Sequence, residues 1–168
     1  MSVELVLIGP PGSGKSSVAK SLAKKTGKRY VDTDKVIEER EGKPITEIFL
    51  EEGEEHFRTV ESEVVLQTLE GEDEIVALGG GSILSEVVRE ELKKFSPIIY
   101  LEVSISNAAP RVGFNRERPL LLGNPRAQWL ALMEIRRPIY ESLATFKVST
   151  DNKKPDQVTS EILELVKL

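Results

Sequence analysis

The 168-residue chain has no cysteine, a single histidine (His56) and a single tryptophan (Trp129), and aromatic residues make up only 5% of it. Without cysteine there is no disulfide, no thiolate nucleophile and no cysteine-based zinc site. One histidine argues against a serine–histidine triad and against a multi-histidine metal centre. No apolar run approaches the roughly 20 residues that a membrane-spanning helix needs. Positive charge is not in excess either: the net charge is −5, which argues against a general role on nucleic acid or membrane surfaces. The first strand starts within a few residues of Met1, leaving no room for a signal peptide, and the expected location is cytoplasmic. What remains is the composition of a soluble globular protein, 39% hydrophobic and 30% charged. This length suits one domain that buries about two-thirds of its unfolded surface.

Against this background residues 9–16 stand out. They read Gly-Pro-Pro-Gly-Ser-Gly-Lys-Ser, the pattern G-x-x-x-x-G-K-[ST]. Leu5-Val6-Leu7-Ile8 before it is short, apolar and β-prone, as a fully buried parallel strand should be. Val18, Leu22 and Ala23 after it recur at helical spacing, and Gly27 supplies a helix stop. A strand, a glycine-rich turn and a helix aim successive backbone N–H groups and the helix N-terminus at one spot, which favours an anion. Gly12, Ser13, Gly14, Lys15, Ser16 and Ser17 are the expected nucleotide-binding residues. In such a loop the lysine reaches the outer phosphates and the serine hydroxyl ligates Mg²⁺. The loop defines the phosphate donor and leaves the acceptor open.

Further strands are expected to end at Tyr30-Val31, over Glu74 to Leu78, over Pro97 to Val103 and over Phe146 to Ser149. Helical patterns separate them: from about Asp34, through Phe57, Val60, Val64 and Leu69, through Val87, Val88 and Leu92, and from Pro155 through Val158, Ile162, Leu165 and Val166. Such alternation predicts a parallel sheet with helices on both faces. Ligands in such folds lie beyond the carboxyl ends of the strands.

Several segments at those ends carry chemistry. In Asp32-Thr33-Asp34, one carboxylate suits Mg²⁺ held through water and the other an acceptor hydroxyl, or one of them is an N-cap. Gly79-Gly80-Gly81 either bares backbone for a ligand or makes a flexible connection. Six of the ten arginines fall between 107 and 137, a stretch without lysine: Arg111, Arg116, Arg118, Arg126, Arg136 and Arg137. Arginine offers a rigid fork to phosphate and carboxylate oxygens. The loop-like middle of that stretch reads either as a cover for the transferring phosphate or as a solvated surface. Arg58 and Glu61, at i and i+3, are either an exposed ion pair worth about 0.2–0.5 kcal/mol or a carboxylate fixing the rotamer of a substrate-binding guanidinium. His56 reads as partly exposed and without a catalytic role.

The set as a whole resembles the shikimate kinase family. It comprises G-x-x-x-x-G-K-[ST] at 9–16, D-T-D at 32–34, G-E-x-x-F-R-x-x-E at 53–61, G-G-G at 79–81, R-P-L-L at 118–121 and R-x-P-x-Y at 136–140. Order and spacing match from end to end. The resemblance implies a three-layer α/β/α fold with a five-stranded parallel sheet in the order 2-3-1-4-5. It implies one kinase domain over 1–168, with a substrate-binding region at about 33–61 and a mobile lid at about 112–125. The implied reaction transfers the γ-phosphoryl of ATP to the 3-hydroxyl of shikimate, on the way to chorismate and aromatic amino acids, with one Mg²⁺ per subunit. By the same resemblance, Lys15, Asp34 and Arg118 are the catalytic residues: a phosphate contact, the group at the acceptor hydroxyls and a lid arginine at the γ-phosphate. Ser16 and Asp32 organise the metal. Arg58 and Arg136 clamp the shikimate carboxylate, and Gly79, Gly80 and Gly81 line the acceptor. Arg111, and Lys153 or its neighbour Lys154, correspond to positions near the adenine, although the family more often has arginine at the lysine position. The expected protein is a monomer with small-molecule substrates and no nucleic acid or membrane partner. Two rivals are kept: another small-metabolite kinase of this fold, such as a gluconate kinase, and a non-catalytic nucleotide-binding protein.

Overall fold

All four residues of the first strand, β1 (Leu5–Ile8), are apolar because both of its faces are covered. Side chains alternate along a strand, so Leu5 and Leu7 pack on one side and Val6 and Ile8 on the other. The computed structural model describes residues 2–112 and 124–167. Arg116, Glu117, Arg118 and all of the expected lid between 113 and 123 therefore lie outside the described residues.

The remaining strands are β2 (Tyr30–Asp32), β3 (Ile75–Ala77), β4 (Ile98–Glu102) and β5 (Phe146–Ser149). They form one parallel sheet in the order β2-β3-β1-β4-β5, as the sequence predicts. Central β1 pairs Val6 with Val76 of β3 and with Ile98 of β4. The helices are α1 (Lys15–Thr26), α2 (Thr33–Glu41), α3 (Ile45–Leu69), α4 (Glu86–Leu92), α5 (Ile105–Val112), α6 (Pro125–Leu143) and α7 (Pro155–Val166). One face of the sheet is covered by Val18, Ala19 and Leu22 of α1 with Val158 and Ile162 of α7. The other is covered by Val65 and Leu69 of α3, Val88 and Leu92 of α4, and Trp129, Met133 and Tyr140 of α6. A third cluster joins Ile37 of α2 to Ile45, Ile48, Phe57, Val60 and Val64 of α3, outside the sheet. Among the described residues, no helix is long and apolar enough to cross a membrane.

Two apolar residues of the predicted helical patterns face solvent. Val87 is 60% exposed and Leu165 43% exposed. Short α4 presents a single stripe, Val88 and Leu92 at i and i+4, and its neighbour Val87 lies about 100° away around the helix.

Because every strand runs the same way, all the carboxyl ends share one edge. Along it the sheet order puts the turns after β2 and β3 on one side of the β1 turn, and those after β4 and β5 on the other. That order positions the site.

Candidate active site

The turn after β1 wraps the start of α1. Gly12 has φ 83°, and a Cβ there would lie 2.8 Å from the Ala108 carbonyl oxygen of α5, so only glycine fits this bend. The Lys15 ammonium donates to the carbonyls of Gly9 at 2.8 Å and Pro10 at 3.0 Å, and to Ser13 Oγ at 3.3 Å. Its three N–H groups thus curl back across the loop. Ser16 and Ser17 are exposed at the first turn of α1, where the amides point outward.

Asp32, at the end of β2, takes the N-cap role that the sequence offered, and its second carboxylate oxygen turns to the phosphate loop. Oδ1 accepts from the Asp34 amide at 3.0 Å and caps α2, while Oδ2 accepts from Ser16 Oγ. Two hard oxygen donors from different strand ends therefore meet beside the loop. Asp34 follows on the first turn of α2 and lines the same cavity, about 260 Å³, as Pro11, Gly12, Lys15, Ser16 and Asp32. Thr33 between them is buried, and its Oγ1 accepts from the Gly79 amide at 3.1 Å.

The triple glycine after β3 is packed against Thr33, Asp34 and Pro11 among these groups, so the reading as a flexible connection is not what the structure bears out. A Cβ on Gly79 would sit 2.5 Å from Asp34 Oδ1 and 3.0 Å from Glu61 Oε2. One on Gly80 would lie 3.1 Å from Pro11 Cδ, and one on Gly81 would overlap the Arg58 guanidinium. Arg58 itself is aimed by a break in α3. Gly53, at φ 88° and ψ 167°, interrupts the helix and restarts it in the direction that carries Phe57, Arg58 and Glu61 inward. Arg58 Nη1 donates to Glu61 Oε1 at 2.8 Å, and the Glu61 side chain is only 3% exposed. A buried carboxylate holding a charge-assisted hydrogen bond fixes its partner far better than an exposed pair does. Arg58 Nε is also buried, and it has no hydrogen-bond partner among the described residues.

On the far side of the glycine loop, α6 turns Trp129, Met133, Arg136 and Tyr140 inward, at i, i+4, i+7 and i+11. Arg136 is buried, while Arg137 is exposed. That contrast separates two adjacent arginines which the sequence distinguishes only through the R-x-P-x-Y motif.

Beyond β4 and β5 lies a second cavity of about 190 Å³, lined by Ser13, Gly14, Ser17, Val18, Arg111, Thr150, Lys153, Pro155 and Val158. Gly14, Ser17 and Arg111 also line the first, so the two meet at the mouth of the loop. Arg111 donates to Thr150 through Nη1 at 3.0 Å and Nη2 at 3.0 Å, and to the Gly12 carbonyl at 3.2 Å. Lys153 borders this cavity with its ammonium turned to Glu161 and the Ser149 carbonyl, 3.0 and 3.1 Å away. His56 is half-buried against Glu41 at 2.7 Å, away from both cavities.

Sequence reasoning missed Thr33, Trp129, Tyr140 and Thr150. The first lay inside D-T-D and the third inside R-x-P-x-Y, so motif membership was the available signal. Trp129 and Thr150 belong to no quoted motif and had none.

A parallel sheet in this order, with a phosphate loop at its central strand and carboxylate and arginine groups at the adjoining strand ends, defines a P-loop phosphotransferase of the α/β/α class. The family model described as shikimate kinase matches residues 11–167. A shikimate kinase of Thermobifida fusca is 51% identical over 152 residues, 90% of this chain and 88% of that protein. One of Rhodococcus jostii is 44% identical over 164 residues, 97% of each. Among solved structures, a shikimate kinase from Acinetobacter baumannii in complex with shikimate superposes with a TM-score of 0.94 at 32% identity, covering 98% of this chain and 93% of that one. The chain belongs to the shikimate kinase family and is an ATP-dependent phosphotransferase.

Proposed function

We propose that this chain transfers the γ-phosphoryl of ATP to the 3-hydroxyl of shikimate, giving shikimate 3-phosphate and ADP. The observation that carries the reading is the position of Asp34. Its carboxylate borders the cavity of Lys15 and Ser16, and it also lies against Gly79, one residue from the backbone next to Pro11. An acceptor hydroxyl seated on Asp34 is therefore beside a phosphate seated on the loop.

In this reading Lys15 exchanges its loop carbonyl partners for phosphate oxygens, and Arg111 and Lys153 border the base. Ser16 and Asp32 suit one Mg²⁺ per subunit, because paired hard oxygens with room for water match its coordination. When bound, that ion offsets the charge of the phosphates. Asp34 accepts the hydrogen bond, and then the proton, of the attacking hydroxyl; a loose transition state asks little more of it. Arg58 and Arg136 hold the substrate carboxylate at the other end, with Gly79, Gly80 and Gly81 forming the wall between. Arg118 is assigned to the γ-phosphate on its sequence motif alone. The whole is read as one kinase domain, with the acceptor region at about 33–61 and the lid at about 112–125, working as a cytoplasmic monomer.

A coupled assay of ADP release with ATP, Mg²⁺ and shikimate tests the reaction. Turnover with gluconate or a nucleoside monophosphate, and none with shikimate, would overturn it. ATP left unconsumed with every acceptor would favour a nucleotide-binding protein instead.

Gly81→Ala tests the acceptor wall. The new methyl displaces the end of a flexible side chain rather than backbone, so the fold tolerates it while Arg58 moves. The expected result is a KM for shikimate raised about tenfold, the loss of roughly one charge-assisted hydrogen bond, with the KM for ATP unchanged. An unchanged KM for shikimate would detach Arg58 from the clamp.

A further inference from the structure

The glycine loop lies against Asp34 and Arg58 of the proposed acceptor site, and its middle residue is tied down by a side chain of α6. Gly79 lies against Asp34 and Glu61, Gly81 lies against Arg58, and Gly80 abuts Pro11 of the phosphate loop. The Gly80 carbonyl accepts from Tyr140 Oη at 2.6 Å. Tyr140 is fully buried, and its ring stacks on Tyr100 of β4 with centroids 5.1 Å apart. The same helix reaches the phosphate loop independently, because Trp129 Nε1 donates to the Pro11 carbonyl at 3.0 Å. Arg136 sits between these two attachments, seven residues after one and four before the other, on the same stripe. Helix α6, Pro11 and Gly80 thus form a closed triangle. Within it the Tyr140 hydroxyl joins the helix that carries Arg136 to the loop that lies against Asp34 and Arg58.

We propose that Tyr140 is a positioning residue for the acceptor site, acting through the Gly80 carbonyl. It touches neither the substrate nor the reacting atoms; it holds the wall that does. The proposal rests on the reading of this site as the shikimate site. Tyr140→Phe removes only the hydroxyl and keeps the ring on Tyr100, so the core retains its packing. Losing the bond leaves a buried acceptor unsatisfied, and the loop relaxes to relieve it.

The expected result is a KM for shikimate raised about five- to tenfold, the usual worth of one buried hydrogen bond, with kcat and the KM for ATP within about twofold of the parent. Calorimetric titration of shikimate into Tyr140→Phe, which needs no turnover, should show the same loss of affinity. A lower thermal midpoint and less active protein with an unchanged KM for shikimate would mark a purely structural residue and overturn the proposal. So would equal increases in both KM values. Absence of shikimate turnover by the parent protein would overturn the underlying reading, and this proposal with it, before any variant is compared.

Discussion

Lys15→Ala is expected to lower kcat/KM by at least about 10³-fold, in the range of losing a preorganised charge at a transferring phosphoryl group. The effect is large because the ammonium acts inside a loop whose amides already converge on the same anion, where little water screens the charge. Circular dichroism and the thermal midpoint should remain close to those of the parent. The hydrogen bonds of Lys15 to Gly9, Pro10 and Ser13 lie within one loop, and the β1 and α1 residues packed beneath it keep their contacts. A variant that kept more than a tenth of the parent kcat/KM would show that phosphate is not gripped here.

Arg58→Ala is the second large effect, and it acts on the acceptor. Two charge-assisted hydrogen bonds to a carboxylate are worth about 1.5–3 kcal/mol each, so KM for shikimate should rise at least about 10²-fold while KM for ATP stays near its parent value. A cost in stability accompanies it, because buried Glu61 loses the guanidinium that it holds at 2.8 Å. Arg58→Lys separates the two consequences. It keeps a positive charge near Glu61 but not the planar fork, so it should recover most of the thermal midpoint and little of the substrate affinity. If Arg58→Ala bound shikimate as tightly as the parent in direct titration, the clamp would be wrong.

The parts of the site that were legible in the sequence are those made by neighbours along the chain. The phosphate loop is a strand, a turn and a helix start within a dozen residues, so glycine spacing and apolar periodicity suffice to read it. Asp32 and Asp34 were found because they follow a strand end, and Arg58 with Glu61 because i and i+3 face alike on a helix. Sequence could not decide whether Glu61 was buried. That depends on Gly79 lying against it and on Gly53 turning the second half of α3 inward. Only the R-x-P-x-Y motif favoured Arg136 over Arg137 in the sequence, and the burial of one and exposure of the other came with the placing of α6 on the sheet. An arginine within an apolar stripe breaks the very pattern by which a buried face is recognised.

The unread contacts share a property. Thr33 meets Gly79 across 46 residues, Tyr140 meets Gly80 across 60 and Trp129 meets Pro11 across 118. A hydroxyl or an indole N–H offers no sequence signal of which distant carbonyl or amide it will meet.

The sequence alone determined the donor half of the protein, because the conformation of a phosphate loop is local. Backbone sterics at its glycines and the amides of one helix terminus create the anion site wherever that segment folds. It also offered the residues proposed for the acceptor, Asp34, Arg58, the three glycines and Arg136, but as separate fragments. Only the tertiary structure made them one site. The order β2-β3-β1-β4-β5 differs from chain order, and it is set by which apolar strand faces and helices pack together. That packing puts the proposed acceptor groups Asp34 and Arg58 on one flank of the loop and the cavity of Arg111 and Lys153 on the other, and it brings Tyr140 to the Gly80 carbonyl.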